Sequence, residues 1–393
     1  MPSITSPLSL RGLTLKNRLV VSPMCMYSAH DGLADDFHLV HLGRFALGGA
    51  GLVFVEATAV SQIGRITPGC LGLWHDDQVT PLQRVVDFLH RFGCAAAIQL
   101  NHSGRKGSSE APWKGAGALS HSATDAALAW PTVAPTAEPG GRQWPAPREM
   151  TAEDIDVVVG EFAAAAQRAA DAGFDAVEIH CAHGYLLHQF LSPLSNTRSD
   201  AFGGTLSKRM SVPLRVAEAV RRVWPEDRPL FARLSSVDGI DIGWSLDDSI
   251  TFARELRCRG VDVIDCSSGG MRLPRDKQLL SRDPGFHVPY AARIRQDAEV
   301  ATVAVGLIRD PKHAQQILAE GSADLVAVAR EALFNPNWAL HALLAEAGAA
   351  AWAQWPQPHG WWLERRAEQQ ADTFDHLARM TPPQRDAGNA TNS

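Results

Sequence analysis

The chain has 393 residues, of which 45% are hydrophobic and 20% are charged, a composition typical of a globular protein with a full core. Its net charge of −6 comes from 37 basic and 43 acidic residues spread along the chain, which argues against a nucleic-acid or anionic-membrane partner. There is no signal-peptide pattern, no apolar stretch long enough to span a bilayer, and six scattered cysteines that suit a reducing compartment. A cytoplasmic location is therefore expected.

Eight short strand patterns recur along the chain. Most are near-continuous apolar runs, as expected for parallel strands that are buried on both faces. In chain order they cover residues 18–22, 51–57, 95–100, 175–180, 229–235, 262–268, 300–306 and 323–329.

Helical patterns separate these strands, and two of them carry a start signal. Thr151 with Asp154, and Ser245 with Asp248, have the spacing of capping boxes, in which a hydroxyl and a carboxylate satisfy free backbone amides. Further helices are predicted at residues 37–49, 80–92, 206–223, 288–297, 311–320 and 331–346.

Strand and helix, repeated eight times, predict a single-domain (β/α)8 TIM barrel. A doubly wound sheet is the competing architecture, but the sequence "SPMCMYS" stands where its glycine fingerprint would follow the first strand.

Three pieces lie outside the repeat. The first 17 residues are expected to cap the bottom of the barrel, and residues 101–150 form a long insertion after the third strand. The barrel domain is therefore predicted to span residues 1–346. Residues 347–393 form a tryptophan-rich extension, expected to build an interface and then to be disordered at its polar end.

Barrel enzymes place their chemistry at the carboxyl ends of the strands. The last two strands end at Gly306 and at Arg330. A glycine lets backbone amides approach an anion, and a guanidinium fits phosphate oxygens, so this pair favours a phosphate site. The alternative is a helix-capping glycine and a surface arginine.

Gln99 and Arg233 each end an apolar strand, and a buried amide or guanidinium needs a partner. A planar, partly anionic ring would satisfy both. An internal salt bridge, for instance between Arg233 and Glu178, explains the arginine equally well.

The stretch "EIHCAHGYLLHQFLSP" places His180, His183 and Tyr185 where the fourth strand ends. Three interpretations stay open at this point. The histidines could be zinc ligands, although the ends of strands 1, 5 and 6 offer no carboxylate or histidine to complete a site. They could be hydrogen-bonded within a packed loop, or they could donate to one substrate oxygen while the tyrosine supplies a proton.

Several stretches resemble the Old Yellow Enzyme family of FMN-dependent ene-reductases, in particular its bacterial branch with a cysteine near the flavin. They span nearly all of residues 5–345 in the family's order. The matching stretches are "NRLVVSPMCMYS", "VEATAV", "QLNHSGRKGS", "EIHCAHGYLLHQFLSPLSNTRSDAFGGTLSKR", "VAVGLIRDP" and "DLVAVAREALFNPNW".

The resemblance implies noncovalent FMN at the top of the barrel. Residues that would meet its ring are Ser22, Pro23, Met24, Cys25, Ala57, Gln99 and Arg233, with Arg233 stabilising negative charge and Cys25 tuning the redox behaviour. Residues that would hold its ribityl and phosphate end are Gly269, Gly270, Gly306, Ala329 and Arg330.

The resemblance also implies a ping-pong cycle in which NADPH or NADH reduces FMN and an activated alkene (an enone, nitroalkene or maleimide) is then reduced. His180 and His183 would bind the substrate oxygen, Tyr185 would protonate the α-carbon, and Tyr27 would line the pocket. The alternatives kept from the residues themselves are a metal-dependent hydrolase on the same barrel and a flavin-binding protein without turnover.

The tail "HGWWLERR" resembles a branch in which a carboxy-terminal tryptophan or arginine reaches a neighbouring subunit's active site. Trp361, Trp362 and Arg365 are the candidates, and the alternative is that they only fill a dimer interface. Either way a homodimer or higher homo-oligomer is expected.

Overall fold

The computed structural model describes residues 1–141, 143–271, 280 and 282–369. Eight parallel strands close into a barrel with no open edge, which confirms the predicted TIM barrel. In chain order the barrel strands are β3 Leu19–Val21, β4 Leu52–Ala59, β5 Ala95–Asn101, β8 Ala176–Cys181, β9 Leu230–Ser235, β10 Val263–Ser267, β11 Ala301–Ala304 and β12 Leu325–Val328. Around the barrel, neighbouring strands follow the order β10-β11-β12-β3-β4-β5-β8-β9.

The barrel strands are buried on both faces because each contributes side chains to two cores. One core fills the barrel interior, with Phe54 and Phe231 in edge-to-face contact at 5.6 Å between ring centroids. The other lies between the strands and the surrounding helices. This double burial explains the continuous apolar runs that identify the strands in the sequence.

Helices cover the outside of the barrel. Both predicted capping boxes are present, with the Thr151 and Ser245 side chains accepting from the amides of Asp154 and Asp248. The helices are α1 Asp36–Leu47, α2 Val79–Arg91, α3 Ala152–Asp171, α4 Leu186–Leu191, α5 Leu206–Val223, α6 Leu246–Cys258, α7 Val288–Ala298, α8 Pro311–Ala319, α9 Arg330–Phe334, α10 Trp338–Ala347 and α11 Gln357–Gln369. Within these described ranges, no helix is long and apolar enough to cross a bilayer.

The single helix predicted over residues 331–346 is wrong. Two helices, α9 and α10, occupy this range, and Pro336 lies between them. A proline has no amide proton and disfavours helical backbone in the residue before it, and Asn335 is accordingly extended, with φ −127° and ψ 92°.

The amino-terminal residues form a hairpin, β1 Leu8–Leu10 with β2 Leu13–Leu15, that closes the barrel where its strands begin. Gly12 N–H donates to the Asp227 carbonyl, and the Arg11 guanidinium pairs with Asp262 at 2.7 Å. Both aspartates precede barrel strands, so the hairpin caps the bottom of the barrel as predicted.

The insertion after β5 is made of short 3-10 turns and one small strand pair, β6 Val133–Ala134 with β7 Arg148–Glu149. It is fastened to the loop after β4, where Trp130 Nε1–H donates to the Ile63 carbonyl at 3.0 Å and the Arg65 guanidinium lies 4.8 Å from the Trp130 ring. The insertion therefore sits at the carboxyl ends of the strands.

The carboxy-terminal extension divides its tryptophans between the core and the surface. Trp352 and Trp355 are 7% and 9% exposed and pack into the chain's own core, whereas Trp361 and Trp362 on α11 are 50% and 70% exposed. The polar end of the extension, residues 370–393, lies outside the described residues.

Candidate active site

The loop after β3 runs along the carboxyl end of the barrel and is held from below by a buried acid. Ser22 N–H donates to the Val328 carbonyl at 2.9 Å, which ties the start of the loop to β12. Met26 N–H donates to Glu56 Oε2 at 2.5 Å, and Tyr27 adopts a left-handed φ of +51°. The Glu56 carboxylate lies on β4 and thus fixes the turn that presents Cys25 and Tyr27.

Cys25, Tyr27 and Tyr185 belong to one apolar cluster around Ala57. Burial raises the pKa of all three ionisable side chains, and the neighbouring Glu56 carboxylate raises that of Cys25 further. The thiol and both phenols therefore keep their protons at neutral pH. The structure brings the predicted cysteine and both predicted tyrosines together.

Two carboxylates and one guanidinium form the polar floor beneath this cluster. Gln99 Nε2–H donates to Glu178 Oε1 at 2.7 Å, and Arg233 Nε lies 3.4 Å from Asp265 Oδ2. The suggested Arg233–Glu178 ion pair is therefore wrong in its partner, because Asp265 on the adjacent strand β10 is closer to the guanidinium. Burial raises the pKa of Glu178 to about 8, Asp265 adds to the rise, and Arg233 opposes it.

The two histidines at the end of β8 face each other. His180 Nε2 lies 3.3 Å from His183 Nδ1, and their ring planes are nearly perpendicular. Burial lowers the pKa of both imidazoles well below the usual range of histidine, and the Arg233 guanidinium lowers it further. Both rings are therefore neutral at physiological pH. The Tyr185 ring packs edge-on against His180 at 5.1 Å between centroids.

The loop that carries His183 is fixed on two sides. The Lys106 ammonium donates to the carbonyls of His183 at 2.6 Å and Gly270 at 3.2 Å, which joins the loops after β5, β8 and β10. From inside, Gly184 N–H donates to Nδ1 of His188, whose Nε2 lies 3.1 Å from Asp238 Oδ1. The histidine loop is thus held in one conformation by a cation and by a buried His–Asp pair.

Glycines shape the loops after β10 and β11. Gly269, Gly270 and Gly306 have φ values of +68°, +106° and +120°, in the region that favours glycine. A Cβ atom on Gly306 would lie 3.0 Å from Nδ1 of His287, so the backbone approaches that ring closely. Ala329 and Arg330 follow on the neighbouring strand end, where α9 begins.

A model of the NADH:flavin oxidoreductase / NADH oxidase family matches residues 3–343. The chain belongs to this family. Similar relatives are the NADPH dehydrogenases of Listeria innocua (44% identity over 344 residues, 87% of this chain and 94% of the relative) and Geobacillus sp. (41% over 358 residues, 91% and 98%). The enzyme is an NAD(P)H-dependent flavin oxidoreductase, with FMN as cofactor and a nicotinamide as hydride donor.

Solved structures agree with this assignment. Morphinone reductase in complex with tetrahydroNAD is similar with a TM-score of 0.72 and 26% identity, covering 88% of this chain and 92% of that one. An old yellow enzyme homologue from Zymomonas mobilis shares the fold, with a TM-score of 0.70, 24% identity and coverage of 88% and 93%. The resemblance to the Old Yellow Enzyme family is confirmed.

Polar groups at the carboxyl end of the barrel are suited to bind FMN. Among the described residues, Ser22 Oγ is buried and has no hydrogen-bond partner, as expected of a group that a bound ring satisfies. The left-handed glycines after β10 and β11, together with Arg330 after β12, supply backbone groups and a guanidinium that suit a phosphate. Over the described part of the chain, no group of three or more His, Cys, Asp or Glu side chains is arranged to hold a metal ion.

Three features of the site were not predicted from the sequence. They are Lys106, Asp265 and the contact of 2.7 Å between Ser267 Oγ and His183 Nε2. Lys106 lies in "QLNHSGRKGS", where its position just after β5 is a usable signal for a residue at the barrel mouth. Asp265 stands opposite Arg233 in the strand register, which only the order of barrel strands reveals.

Proposed function

We propose that this flavoenzyme is an ene-reductase that reduces alkenes conjugated to a carbonyl or nitro group. Bound FMN would supply the hydride chemistry, from NAD(P)H to the β-carbon of the alkene, and the residues of the barrel mouth would hold it there. Nicotinamide and alkene occupy the same pocket in turn, so the kinetics are ping-pong.

The barrel mouth supplies the FMN site. The ring is held by Ser22, Pro23, Met24, Cys25, Ala57, Gln99 and Arg233. The ribityl and phosphate end is held by Gly269, Gly270, Gly306, Ala329 and Arg330. Support comes from Ser22 Oγ, which has no hydrogen-bond partner among the described residues, from the buried Arg233 guanidinium and from the left-handed glycines. The Arg233 charge favours negative charge on the ring, because a guanidinium stays protonated even when buried.

The facing histidines carry the proposal. Two neutral imidazoles with nitrogens 3.3 Å apart form a clamp that donates two hydrogen bonds to one oxygen. Such a clamp withdraws electrons from a conjugated carbonyl, which makes the β-carbon accept hydride more readily. Because burial keeps both rings uncharged, the clamp needs no counter-ion in a closed site.

Tyr185 supplies the proton that completes the reduction. Its phenol stands beside His180, and burial raises its pKa well above the ordinary value, so the proton is present throughout the neutral range. Tyr27 lines the pocket on the other side, where its ring packs edge-on against Trp113 at 5.9 Å.

The test is the stoichiometry of purified enzyme with NADPH and 2-cyclohexenone under anaerobic conditions. One cyclohexanone formed per NADPH oxidised is expected. NADPH oxidation that requires oxygen and leaves the enone intact would mean a flavoprotein without alkene turnover, and a colourless protein that hydrolyses esters or amides would mean a barrel hydrolase.

We further propose that residues 1–346 are the catalytic domain and that the extension joins two copies into a homodimer. Trp361 and Trp362 are exposed and Arg365 lies 5.6 Å from the Trp361 ring, a composition that favours interfaces. Sedimentation of the wild type and of Trp361→Ser/Trp362→Ser tests this, since the double variant should be monomeric. If the variant stays dimeric, the interface lies elsewhere.

A further inference from the structure

The proton on His180 has one position. Ala182 N–H donates to His180 Nδ1 at 3.1 Å, so Nδ1 carries a lone pair and the neutral ring has its proton on Nε2. That proton points toward the clamp. His180 is therefore ready to donate to a substrate oxygen without any rearrangement.

His183 has two possible tautomers, and among the described residues its outer nitrogen contacts the side chain of Ser267. His183 Nε2 lies 2.7 Å from Ser267 Oγ, while Nδ1 faces His180 Nε2 at 3.3 Å. With His180 donating to Nδ1, the His183 proton is on Nε2 and Ser267 accepts it. For the clamp to donate twice, the proton must be on Nδ1 instead, and then Nε2 needs a donor.

We propose that Ser267 is a positioning residue that sets the tautomer of His183. Its hydroxyl accepts from His183 Nε2–H in the resting site and donates to the bare Nε2 when a carbonyl oxygen enters the clamp. The inference rests on the proposed function, since it concerns the oxygen that the clamp binds. One proton leaves Nε2 and one arrives at Nδ1, both exchanged with water, so the charge of the site is unchanged.

The structure favours this exchange in three ways. A hydroxyl both donates and accepts, so Ser267 satisfies His183 in either tautomer without moving its oxygen. The His–His contact of 3.3 Å is longer than a normal hydrogen bond, so little is lost when a substrate oxygen replaces it. Ser267 itself is 4% exposed, which limits competition from bulk water.

Ser235 provides a matched control. Its Oγ accepts from the backbone amide of His183 at 2.9 Å and donates to the Gly269 carbonyl at 2.6 Å, so it holds the same residue without touching the imidazole. Ser235→Ala perturbs the backbone of His183, whereas Ser267→Ala removes the partner of its ring. We therefore expect only Ser267→Ala to change the tautomer of His183.

The experiment uses oxidised holoenzyme with 15N-labelled histidine, without a hydride donor, so that 2-cyclohexenone binds but is not reduced. Nitrogen shifts of His183, assigned by their loss in His183→Asn, report which ring nitrogen is protonated. We expect the proton on Nε2 in the free wild type and on Nδ1 after 2-cyclohexenone binds. The dissociation constant follows from the change in flavin absorbance.

Ser267→Ala should bind 2-cyclohexenone roughly tenfold more weakly, as expected for a buried nitrogen that loses the hydroxyl donating to it. Ser267→Thr should restore binding and the tautomer change, and Ser235→Ala should keep the tautomer change. An unchanged His183 tautomer in the wild-type complex, or equal affinity of Ser267→Ala and wild type, overturns the inference.

The experiment distinguishes an error in the proposed substrate class from an error in the role of Ser267. If 2-cyclohexenone does not bind the wild type, the proposed alkene substrates are wrong. The same nitrogen shifts are then measured with tetrahydroNAD, whose carboxamide oxygen would enter the clamp. A switch to Nδ1–H that is absent in Ser267→Ala supports the role of Ser267, and no switch overturns it.

Discussion

Gly270 approaches the backbone of His183 so closely that an alanine at this position should displace the histidine loop. A Cβ atom on Gly270 would lie 2.1 Å from Cα of His183 and 2.2 Å from its carbonyl carbon. Carbon atoms in contact need about 3.5 Å, so Gly270→Ala must push the two loops apart by roughly 1.4 Å. A displacement of about 1 Å in a catalytic group costs on the order of 100-fold in rate. We therefore expect the reduced enzyme to be reoxidised by 2-cyclohexenone about 100-fold more slowly.

The control for this variant is Gly321→Ala. Gly321 also has a positive φ, +70°, but nothing lies within 4 Å of a Cβ atom there. Both alanines carry the left-handed strain of about 1–2 kcal/mol, visible as a lowered melting temperature, but only Gly270→Ala displaces His183. The assay is stopped-flow reoxidation of NADPH-reduced enzyme after FMN content has been matched. Equal rates for the two variants would refute the account of the histidine loop.

Three further results are expected. Tyr185→Phe should slow reoxidation of the flavin by 2-cyclohexenone by about 10²–10⁴-fold. Reduction by NADPH should stay within about twofold of the wild-type rate, because only the alkene step takes the proton of Tyr185. Equal slowing of both steps contradicts this role. The affinity of oxidised enzyme for 2-cyclohexenone should not fall as the pH is lowered through about 6.5, the ordinary pKa of histidine, because the pKa values of His180 and His183 lie well below it and the clamp stays neutral; a fall in affinity centred there would show that a clamp histidine titrates normally. Cys25→Ala should retain FMN with an altered reduction potential measured by dye equilibration, and an unaltered potential would exclude the cysteine as a redox-tuning residue.

Features that depend on local sequence could be predicted. The eight strands are recognisable because burial on both faces requires unbroken apolar runs, and both capping boxes depend on two residues three positions apart. The strand ends then place Gln99, Arg233 and the histidines at one rim, because parallel strands in a barrel all end on the same side. The break at Pro336 also has a local cause, because a proline disfavours helical backbone in the residue before it, and the helix predicted over residues 331–346 runs through this position.

Features that depend on the order of strands in space could not be predicted. Asp265, rather than Glu178, pairs with Arg233 because Asp265 lies opposite Arg233 in the register of β10 with β9, whereas Glu178 lies opposite Phe231 in the register of β8 with β9. Lys106 reaches His183 across 77 positions of sequence, and Ser267 reaches it across 84. Such contacts exist only after the barrel has closed, so no local pattern reports them.

The central claim is that this flavoenzyme delivers hydride to an alkene held by the histidine pair. It is tested most directly by an anaerobic single turnover, in which stoichiometrically reduced enzyme is mixed with 2-cyclohexenone and both flavin colour and product are followed. The account predicts that the yellow colour returns together with one cyclohexanone per flavin, and that His180→Ala/His183→Ala largely abolishes this return. Flavin that stays reduced in the wild type, or that reoxidises equally fast in the double variant, would contradict it.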